Sequence, residues 1–286
     1  MTAARVSAIV VNYNDREHLL ECVRSLRSEG VKDLIVADND SSDGSPEALE
    51  EMDPEVTVVP VGGNFGYPVA ANRGASRSSG ELLLICNSDV TVEDGAVVAL
   101  AAAMDADERF GVVGPRIMDP DGSLYPSPRR FPAMGVALGH AFLGLFAPRN
   151  RYTRRYRMLD WQQQPGPVDW VSGACFMCRR DAWDSLGGLD EAYFLYAEDV
   201  DLCWRAWKAG WKVGFEPAAR VTHIGGATTS LAPYRFIVLH HRSALRFSRR
   251  YLTGWRQVLL PFTTIGLGVR LVLACAQRAA RGLRDH

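Results

Sequence analysis

Short apolar runs alternate with amphipathic stretches through the N-terminal third of the chain. The runs are rich in β-branched residues, which is typical of buried strands, whereas the stretches between them repeat apolar residues with helical spacing. We predict strands at Val6–Val11, Asp33–Asp38, Val56–Val61 and Glu81–Cys86. The helices predicted between them are Glu17–Ser28, Pro46–Met52 and Pro68–Ser78. This βαβ alternation requires a mostly parallel sheet with helical crossovers.

The central part of the chain continues this pattern less regularly. A helix is predicted at Val97–Met104 and a strand at Phe110–Ile117. The stretch 119–167 is rich in proline, glycine and arginine and contains the apolar run Val136–Phe146. A segment this long without regular structure is often a lid or a substrate-binding element. After it we predict a strand at Asp169–Arg179, a helix at Glu198–Ala209 and a strand at Lys212–Glu216.

The pattern changes beyond residue 230. Phe236–Tyr251 predicts a basic, partly amphipathic helix, and Val258–Ala276 is mostly apolar but is interrupted by Arg270. The central charge favours docking on an anionic membrane over full spanning, and a helical hairpin in a homodimer interface is the alternative. We therefore divide the chain into an α/β domain at residues 1–230 and a helical extension at residues 231–286, which associates with a membrane or oligomerises.

Composition narrows the function classes. The 286 residues have 47% hydrophobic content and a formal net charge of -1, which indicates a globular protein and gives no reason to expect a nucleic-acid partner. The six cysteines lack the spacing of a disulfide framework, which favours a reduced compartment. No export signal precedes the first predicted strand, so we expect a cytoplasmic location.

Three polar loops follow predicted strands, at Asn12–Asp15, at residues 38–45 and at Asn87–Asp89. The carboxyl ends of parallel strands meet at one sheet edge, so these loops are expected to form one crevice. The turn after the first strand has no glycine, which argues against a dinucleotide site whose backbone approaches pyrophosphate. Asp38 can accept an imide N–H from uracil or thymine, or it can cap a turn, and the pattern leaves both interpretations open.

The third predicted helix carries amides and a cation at its start and along one face. The residues are Asn64, Gly66, Asn72 and Arg73. Such groups suit a ribose or a diphosphate, although alone the pattern is a weak indication.

Asp89 follows an apolar strand that ends in the predicted crevice. An unpaired charge is costly to bury there, and a divalent cation removes that cost, so Asp89 is a candidate ligand for Mg²⁺ or Mn²⁺. The alternative is an aspartate that caps the next helix. His223 can complete a mixed oxygen and nitrogen site, although a lone histidine is more often structural.

Three carboxylates stand at the start of a later predicted helix. They are Glu198, Asp199 and Asp201, and Arg205 lies one turn beyond them. The helix dipole stabilises carboxylates at this position, so they can be purely structural. A carboxylate that points into a crevice can also take a proton from an attacking hydroxyl.

Taken together, these residues resemble family 2 glycosyltransferases of the GT-A fold, and within them the bacterial rhamnosyltransferase-like branch. The motifs that carry the resemblance are Val10-Val-Asn-Tyr-Asn14, Asp38-Asn-Asp-Ser-Ser-Asp-Gly44, Asn64 to Gly74, Asn87-Ser-Asp89, Trp170-Val-Ser-Gly-Ala174, Glu198-Asp-Val-Asp201 and His223. The resemblance implies an α/β nucleotide-diphospho-sugar transferase fold. Its mostly parallel, Rossmann-like sheet would be flanked by helices and followed by a C-terminal helical extension.

The resemblance also implies roles for single residues. Asn12 and Asp38 would hold the nucleoside, Asp89 and His223 the divalent cation, and Asp199 would be the catalytic base. The remaining donor-side residues would be Asn64, Gly66, Asn72, Arg73, Asn87 and Ser88. The residues expected at the acceptor or the donor sugar are Trp170, Ser172, Gly173, Glu198 and Arg205. Asn87 and Ser88 stand where a full DxD motif has earlier carboxylates.

The implied reaction is a single in-line displacement that inverts the anomeric configuration. The branch favours dTDP-L-rhamnose as donor, with a UDP-hexose as the alternative. The implied acceptor is a cell-envelope glycan or a polyprenyl-diphosphate-linked sugar at the inner face of the cell membrane. A non-catalytic nucleotide-sugar-binding protein is a remote alternative, because it would lack a base or metal ligand and this sequence has both.

Overall fold

The fold is organised around one mixed sheet, seen in a computed structural model that describes residues 2–131, 147, 150–158, 161–225 and 232–282. The apolar run predicted at Val136–Phe146 and the domain boundary predicted at residue 230 lie outside these residues. The strands are β1 (Val6–Asn12), β2 (Asp33–Asp38), β3 (Thr57–Pro60), β4 (Leu82–Asn87), β5 (Val90–Val92), β6 (Phe110–Met118), β7 (Leu124–Tyr125), β8 (Gly166–Pro167), β9 (Cys175–Arg179) and β10 (Lys212–His223). Their order is β3-β2-β1-β4-β9-β6-β10-β5, with β7 paired to β6 and β8 paired to β10.

The first four strands confirm the predicted βαβ alternation. β3, β2, β1 and β4 are all parallel to one another. The register pairs Asn12 with Asp38 and Val11 with Asn87. The ends of β1, β2 and β4 therefore coincide at one edge of the sheet, as the polar loops predict.

The other half of the sheet adds antiparallel strands to this arrangement. β9 lies antiparallel between β4 and β6, and β5 is antiparallel to β10. β6 ends at the same edge as β4, so the chain that follows re-enters the sheet from that edge and runs in the opposite direction. β9 begins at Cys175 instead of Asp169, because the residues before it form a loop at this edge. β10 extends past Glu216 to His223, with an irregularity between Glu216 and Arg220.

Helices cover both faces of the sheet. They are α1 (Arg16–Ser28), α2 (Ser45–Met52), α3 (Tyr67–Ala75), α4 (Ala96–Ala106), α5 (Arg151–Tyr156), α6 (Arg180–Leu186), α7 (Glu198–Lys208), α8 (Pro233–Tyr251) and α9 (Leu260–Gly282), with 3₁₀ turns at Thr2–Arg5 and Gly254–Leu259. α5, α6, β5, β7 and β8 are short elements that the hydrophobic pattern does not predict.

Two hydrophobic cores form because side chains alternate along the strands. In β1, Ala8 and Val10 pack with α1 and α4, whereas Ile9 and Val11 pack with α3 and α7. The sheet is thus buried on both faces, which explains why its parallel strands are continuous apolar runs in the sequence.

The first helix of the predicted extension packs on the α/β core. Phe247 of α8 is buried in the same core as α7, and the Ser243 hydroxyl donates to the Leu195 carbonyl at 2.8 Å. Arg250 donates to the buried carboxylate of Asp201 at 3.0 Å. α9 packs along α8 in turn. α8 therefore covers the loop that precedes α7.

Candidate active site

A tight polar turn joins the ends of β1 and β2. Asn12 Nδ2 donates to Asp38 Oδ1 at 2.8 Å, and the amide and hydroxyl of Ser41 donate to the same carboxylate at 2.9 and 2.7 Å. Asp38 therefore makes the contacts of a capped turn. Asn12 Oδ1 is buried without a hydrogen-bond partner among the described residues, so this turn retains an unused acceptor. A role of Asp38 in reading a pyrimidine stays a prediction.

Sheet register brings Asp89 and His223 together. β5 and β10 are antiparallel and pair Val90 with His223, which places the imidazole beside the preceding aspartate. His223 Nε2 lies 3.1 Å from Asp89 Oδ1, and the Gly225 amide donates to Asp89 Oδ2 at 3.0 Å. Burial acts to raise the pKa of Asp89, but His223 and the Gly225 amide outweigh it and hold this pKa below its usual value. The carboxylate is thus ionised at neutral pH.

The donor set at Asp89 and His223 fits a divalent cation. Asp89 Oδ1 is buried and, although close to the imidazole, has no hydrogen bond of good geometry within the described residues. Asn87 Nδ2 lies 3.2 Å from the same imidazole nitrogen. An orphaned carboxylate oxygen beside an imidazole nitrogen is a pair that Mn²⁺ or Mg²⁺ can use. In the part of the chain that the structure describes, no cluster of three or more His, Cys, Asp or Glu side chains forms.

Asp15 and His18 extend this polar edge and were not singled out by the sequence pattern. The Ser88 hydroxyl donates to Asp15 Oδ2 at 2.9 Å, and His18 pairs with the other carboxylate oxygen of Asp15. The signal that could have found them is the position of Asp15, which closes the polar loop after β1. Ser88 is therefore held from the β1 side, next to Asp89.

Asp199 is held rigidly at the start of α7. Tyr196 and Ala197, which precede the helix, have positive φ angles of 69° and 66°. Asp199 Oδ2 accepts from the Gly173 amide at 2.9 Å, and Oδ1 accepts from the Val200 amide at 2.7 Å. Two backbone amides therefore orient the carboxylate, and a strained turn aims it.

Burial raises the pKa of Asp199 and raises that of Glu198 well above its usual range. The negative charge of Asp199 contributes to the shift at Glu198, whose Oε2 is buried without a partner among the described residues. The arrangement favours a protonated Glu198 next to an ionised Asp199, because two adjacent buried charges repel each other. A carboxylate with a raised pKa is a better proton acceptor near neutral pH.

The loop before β9 lies against Asp199. The Tyr67 hydroxyl donates to the Gly173 carbonyl at 2.9 Å, while the amide of the same glycine holds Asp199. Ser172 is buried. Trp170 is buried too, and its indole N–H donates to the Arg130 carbonyl at 3.0 Å. These residues form the wall beside the base, and their assignment to the acceptor or the donor sugar stays a prediction.

Arg129 is another residue that the sequence analysis missed. Its guanidinium stacks on the rings of Trp170 and Tyr125, at 4.8 and 5.4 Å from the ring centroids. It also donates to the Tyr125 hydroxyl at 2.8 Å, and Tyr125 in turn packs edge-on against His223 at 6.2 Å. Arg129 thus lies between the wall beside Asp199 and the Asp89–His223 pair. It falls in the irregular stretch after β6, where no periodicity marks it.

Asn64, Gly66, Asn72 and Arg73 of the third-helix motif serve the framework in the structure. Asn72 donates to the Leu189 carbonyl at 2.9 Å and accepts from its amide at 2.9 Å, and Arg73 donates to the Val61 carbonyl. Asn64 Oδ1 accepts from the Gly66 amide at 3.3 Å. A Cβ at Gly66 would overlap the Phe194 carbonyl, so this glycine permits the close contact between α3 and the loop before α7.

Arg205 makes framework contacts. Its guanidinium pairs with the fully buried Asp201 at 2.7 Å and donates to the carbonyls of Leu186 and Gly188 at 2.7 and 2.8 Å. The i, i+4 spacing on α7 makes this pairing local. These contacts hold the α6–α7 connection, and the assignment of Arg205 to the acceptor or the donor sugar stays a prediction.

Comparison with known proteins gives the family. A model described as glycosyl transferase family 2 matches residues 7–187, and one described as glycosyl transferase family group 2 matches residues 139–280. The chain belongs to glycosyl transferase family 2. This confirms the predicted family, and the chain is accordingly a glycosyltransferase.

The N-acetylglucosaminyl-diphospho-decaprenol L-rhamnosyltransferase of Mycobacterium tuberculosis is a similar relative. It is 37% identical over 271 residues, which cover 90% of this chain and 88% of the relative. This similarity confirms the rhamnosyltransferase-like branch.

Solved glycosyltransferases confirm the predicted GT-A fold. The mannosyltransferase PcManGT from Pyrobaculum calidifontis, solved with GDP-Man and Mn²⁺, has a TM-score of 0.60 at 18% identity and covers 98% of this chain and 79% of its own. S. aureus TarS 1-349, solved with UDP, has a TM-score of 0.56 at 15% identity and covers 84% of this chain and 65% of its own.

Proposed function

We propose that this glycosyltransferase moves L-rhamnose from dTDP-L-rhamnose to a hydroxyl of an N-acetylglucosaminyl-diphospho-polyprenol, with inversion at the anomeric carbon. The observation that carries the proposal is the L-rhamnosyltransferase relative, whose name gives this acceptor class and of which the chain covers 88% at 37% identity. Similarity over nearly the whole length of the relative supports the same donor and acceptor classes for this chain.

Asp199 is the catalytic base in this proposal. Each of its two oxygens accepts one hydrogen bond from a backbone amide, that of Gly173 or that of Val200. Each oxygen keeps a further lone pair for the acceptor hydroxyl. The oxygen of the acceptor attacks the anomeric carbon as its proton passes to Asp199, and the nucleoside diphosphate leaves from the opposite face. One displacement of this kind inverts the configuration.

Asp89 and His223 would hold a divalent cation, Mg²⁺ or Mn²⁺. When bound, the cation neutralises charge on the departing diphosphate. Mg²⁺ and Mn²⁺ commonly take few protein ligands and complete their shell with phosphate oxygens and water, which suits a site that offers one carboxylate and one imidazole. Asn87 and Ser88 flank this pair and would orient it.

The turn between β1 and β2 would hold the nucleoside. Asn12 Oδ1 is a buried acceptor without a partner among the described residues, and a thymine or uracil imide offers one N–H donor. Asp38 would fix the Asn12 amide through their 2.8 Å hydrogen bond. In this proposal Asn12 binds the pyrimidine directly, and Asp38 positions the Asn12 side chain.

The C-terminal helices would dock on the inner face of the cell membrane. Gly254–Ala280 is long and apolar enough to cross a membrane by length and composition. Its large apolar residues form one exposed stripe at helical spacing, made of Trp255, Val258, Phe262, Ile265, Val269 and Val272. Arg270 does not interrupt this stripe, because it turns inward to His241 at 3.1 Å. A helix that packs on α8 with one face and exposes an apolar stripe on the other suits interfacial docking.

The charge of α8 suits an anionic surface as well. α8 and the loop before α7 line an open cavity of about 790 Å³ with several arginines, among them Arg235, Arg242 and Arg249. Asp190 in the same cavity pairs with Arg246 and Arg250, and none of the other three has an ion pair with a described residue. Anionic headgroups attract such a surface at about 1 kcal/mol per basic residue.

A transfer assay tests the proposed reaction. Purified protein is incubated with Mg²⁺ or Mn²⁺, a short-chain N-acetylglucosaminyl-diphospho-polyprenol and one donor at a time, namely dTDP-L-rhamnose, UDP-glucose or UDP-N-acetylglucosamine. We expect a rhamnosylated lipid with inverted anomeric configuration, by mass spectrometry and NMR. Transfer from a UDP-hexose without transfer from dTDP-L-rhamnose would establish the alternative donor instead.

A further inference from the structure

Two arginines lie close to each other near the proposed base, and Arg129 is the one on which the charge of Asp199 acts. Arg129 stacks between Trp170 and Tyr125 and uses its N–H groups on the Pro126 carbonyl and the Tyr125 hydroxyl. Arg157 follows α5 and is half-buried. Neither guanidinium makes an ion pair within the residues that the structure describes. Such an arrangement is unfavourable without an anion, because burial removes water from like charges.

The two arginines share one rigid surface. The backbone of Arg129 exchanges hydrogen bonds with Trp170 at 2.9 and 3.2 Å, and the Arg130 amide donates to the Tyr156 carbonyl at 3.0 Å. The Tyr156 ring packs against Trp170 with centroids 6.4 Å apart. The end of α5, which carries Arg157, is thereby fixed to the wall beside Asp199.

Electrostatic effects place both guanidinium groups around Tyr156. Burial raises the pKa of the Tyr156 phenol, and Arg129 and Arg157 each lower it in part. Asp199 also acts on this phenol, and the phenol acts on Arg270 of α9. Tyr156, which lies beside both arginines, is therefore near the proposed base and also near Arg270 of α9.

We propose that Arg129 and Arg157 bind the diphosphate of the lipid-linked acceptor while Asp199 faces the acceptor hydroxyl. This rests on the proposed function, because the diphosphate-linked acceptor is the one named there. The diphosphate lies at the lipid end of the acceptor, one sugar ring away from the reacting hydroxyl, and the arginines surround Tyr156, which is near both Asp199 and Arg270 of α9. Arginine binds phosphate oxygens through several N–H donors at once, whereas the aromatic rings beside Arg129 limit its movement.

The donor also carries a diphosphate, and Tyr125 links Arg129 to the neighbourhood of His223. The experiment must therefore separate the two substrates. We compare the wild type with Arg129→Gln and Arg157→Gln, and Arg151→Gln is the matched control because Arg151 is exposed and its guanidinium bonds to and stacks on Tyr152. Each protein is assayed with two acceptors of equal chain length, the N-acetylglucosaminyl diphosphate lipid and a neutral alkyl N-acetylglucosaminide.

We expect Arg157→Gln to lower kcat/KM for the diphosphate acceptor about 10- to 100-fold, the usual effect of losing a charge-assisted hydrogen bond. The neutral acceptor should lose much less, so the ratio between the two acceptors falls, and Arg151→Gln should leave that ratio at the wild-type value. Arg129→Gln should act in the same direction. An equal loss with both acceptors would overturn the proposal, and so would a rise in donor KM with an unchanged acceptor ratio, which would assign the arginines to the donor.

Calorimetric titration of the diphosphate acceptor into each folded variant, without donor, keeps the outcome separate from turnover. Weaker binding by Arg157→Gln than by Arg151→Gln supports the site, and equal binding contradicts it. A wild type that binds the acceptor but transfers no rhamnose would contradict the proposed donor and leave the arginine site supported. Thermal unfolding of each variant verifies that a loss of binding does not come from loss of the fold.

Discussion

The Gly173 amide donates a 2.9 Å hydrogen bond to Asp199 Oδ2, and a Cβ at position 173 would lie 3.1 Å from the Asp199 Cβ. The glycine therefore both orients the proposed base and leaves room for it. Its φ is outside the left-handed region, so alanine can adopt the backbone conformation. We expect Gly173→Ala to displace the carboxylate by a few tenths of an ångström and to lower kcat about 10- to 100-fold. Steady-state kinetics at saturating donor and acceptor measure this.

Two comparisons make the Gly173→Ala result specific. Gly268→Ala is the matched control, because a Cβ there meets nothing within 4 Å, and it should keep wild-type kcat. Asp199→Asn cannot accept a proton and should lower kcat about 10²- to 10⁴-fold while donor binding by calorimetry persists. Normal turnover of Asp199→Asn would remove Asp199 as the base, and normal turnover of Gly173→Ala would remove the positioning role of the glycine.

The acid side of the pH profile should report the buried carboxylates. Burial raises the pKa of Asp199. The base must be ionised to take a proton, so a raised pKa means that kcat/KM is lost at a higher pH during acidification. The apparent value belongs to Glu198 and Asp199 as a pair, because they titrate together. An acid limb close to about pH 4, the value of a solvent-exposed aspartate, would contradict this prediction.

Glu198 should reduce the stability of the protein at neutral pH. It is 6% exposed, and burial followed by the charge of Asp199 raises its pKa well above the usual range. Between the unfolded-state pKa of about 4.3 and the raised folded value, the folded protein keeps a proton that the unfolded chain releases, so stability falls as pH rises. Glutamine has the same size and no titration. We therefore expect Glu198→Gln to have a higher Tm than wild type near neutral pH.

The pH dependence distinguishes this effect from a simple change in packing. The difference in Tm between Glu198→Gln and wild type should shrink below about pH 4, where glutamate is protonated in both states. Glu93→Gln is the control, because Glu93 is exposed and should show no such trend. A Tm difference that is the same at every pH would count against a raised pKa at Glu198.

The parallel half of the fold and its edge could be predicted from the sequence, because they depend on local periodicity. Strands followed by polar loops place Asn12, Asp38 and Asn87 at one edge, and the register confirms this. The direction of β9 could not be predicted, since it depends on where the chain re-enters the sheet. Arg129 was missed for the same reason, because its place beside Asp199 depends on a bridge to Trp170.

The motifs predict the roles of Asp89 and His223 but not the contact between them. The resemblance assigns both residues to the metal, but only the register of β5 with β10 brings them to 3.1 Å. Arg205 shows the opposite case. Its i, i+4 spacing from Asp201 is visible in the sequence and indicates a local ion pair, which the structure contains.

Removal of the cation should abolish transfer. We expect dialysis against EDTA to stop activity and added Mn²⁺ to restore it, because charge on the departing diphosphate would otherwise be uncompensated. Binding of Mn²⁺ in the presence of dTDP, followed by electron paramagnetic resonance, should weaken in Asp89→Asn and His223→Ala.

Asp94→Asn is the control for this experiment, because Asp94 is an exposed carboxylate outside the site. It should bind Mn²⁺ as the wild type does. Full activity after thorough chelation would contradict the metal assignment, and so would Mn²⁺ binding by Asp89→Asn that equals binding by the wild type.

Substitutions in the exposed apolar stripe should distinguish binding to a membrane from pairing with a second copy of the chain. Phe262 and Ile265 are 70% and 65% exposed. A glutamate in this stripe would have to enter the apolar part of the interface, so we expect Ile265→Glu to lose flotation with vesicles that contain anionic phospholipid. Thr264→Glu is the matched control, because it adds the same charge to the same helix outside the stripe.

The same two variants test the alternative. The stripe repeats at intervals of three and four residues, which is also the pattern of a helix-pairing seam. If a second copy covers it, the wild type will be a dimer by light scattering without lipid, Ile265→Glu will be a monomer, and neither protein will float with vesicles. If the membrane covers it, both variants will share one oligomeric state and only Thr264→Glu will float, with binding that weakens at high salt because arginines of α8 contribute.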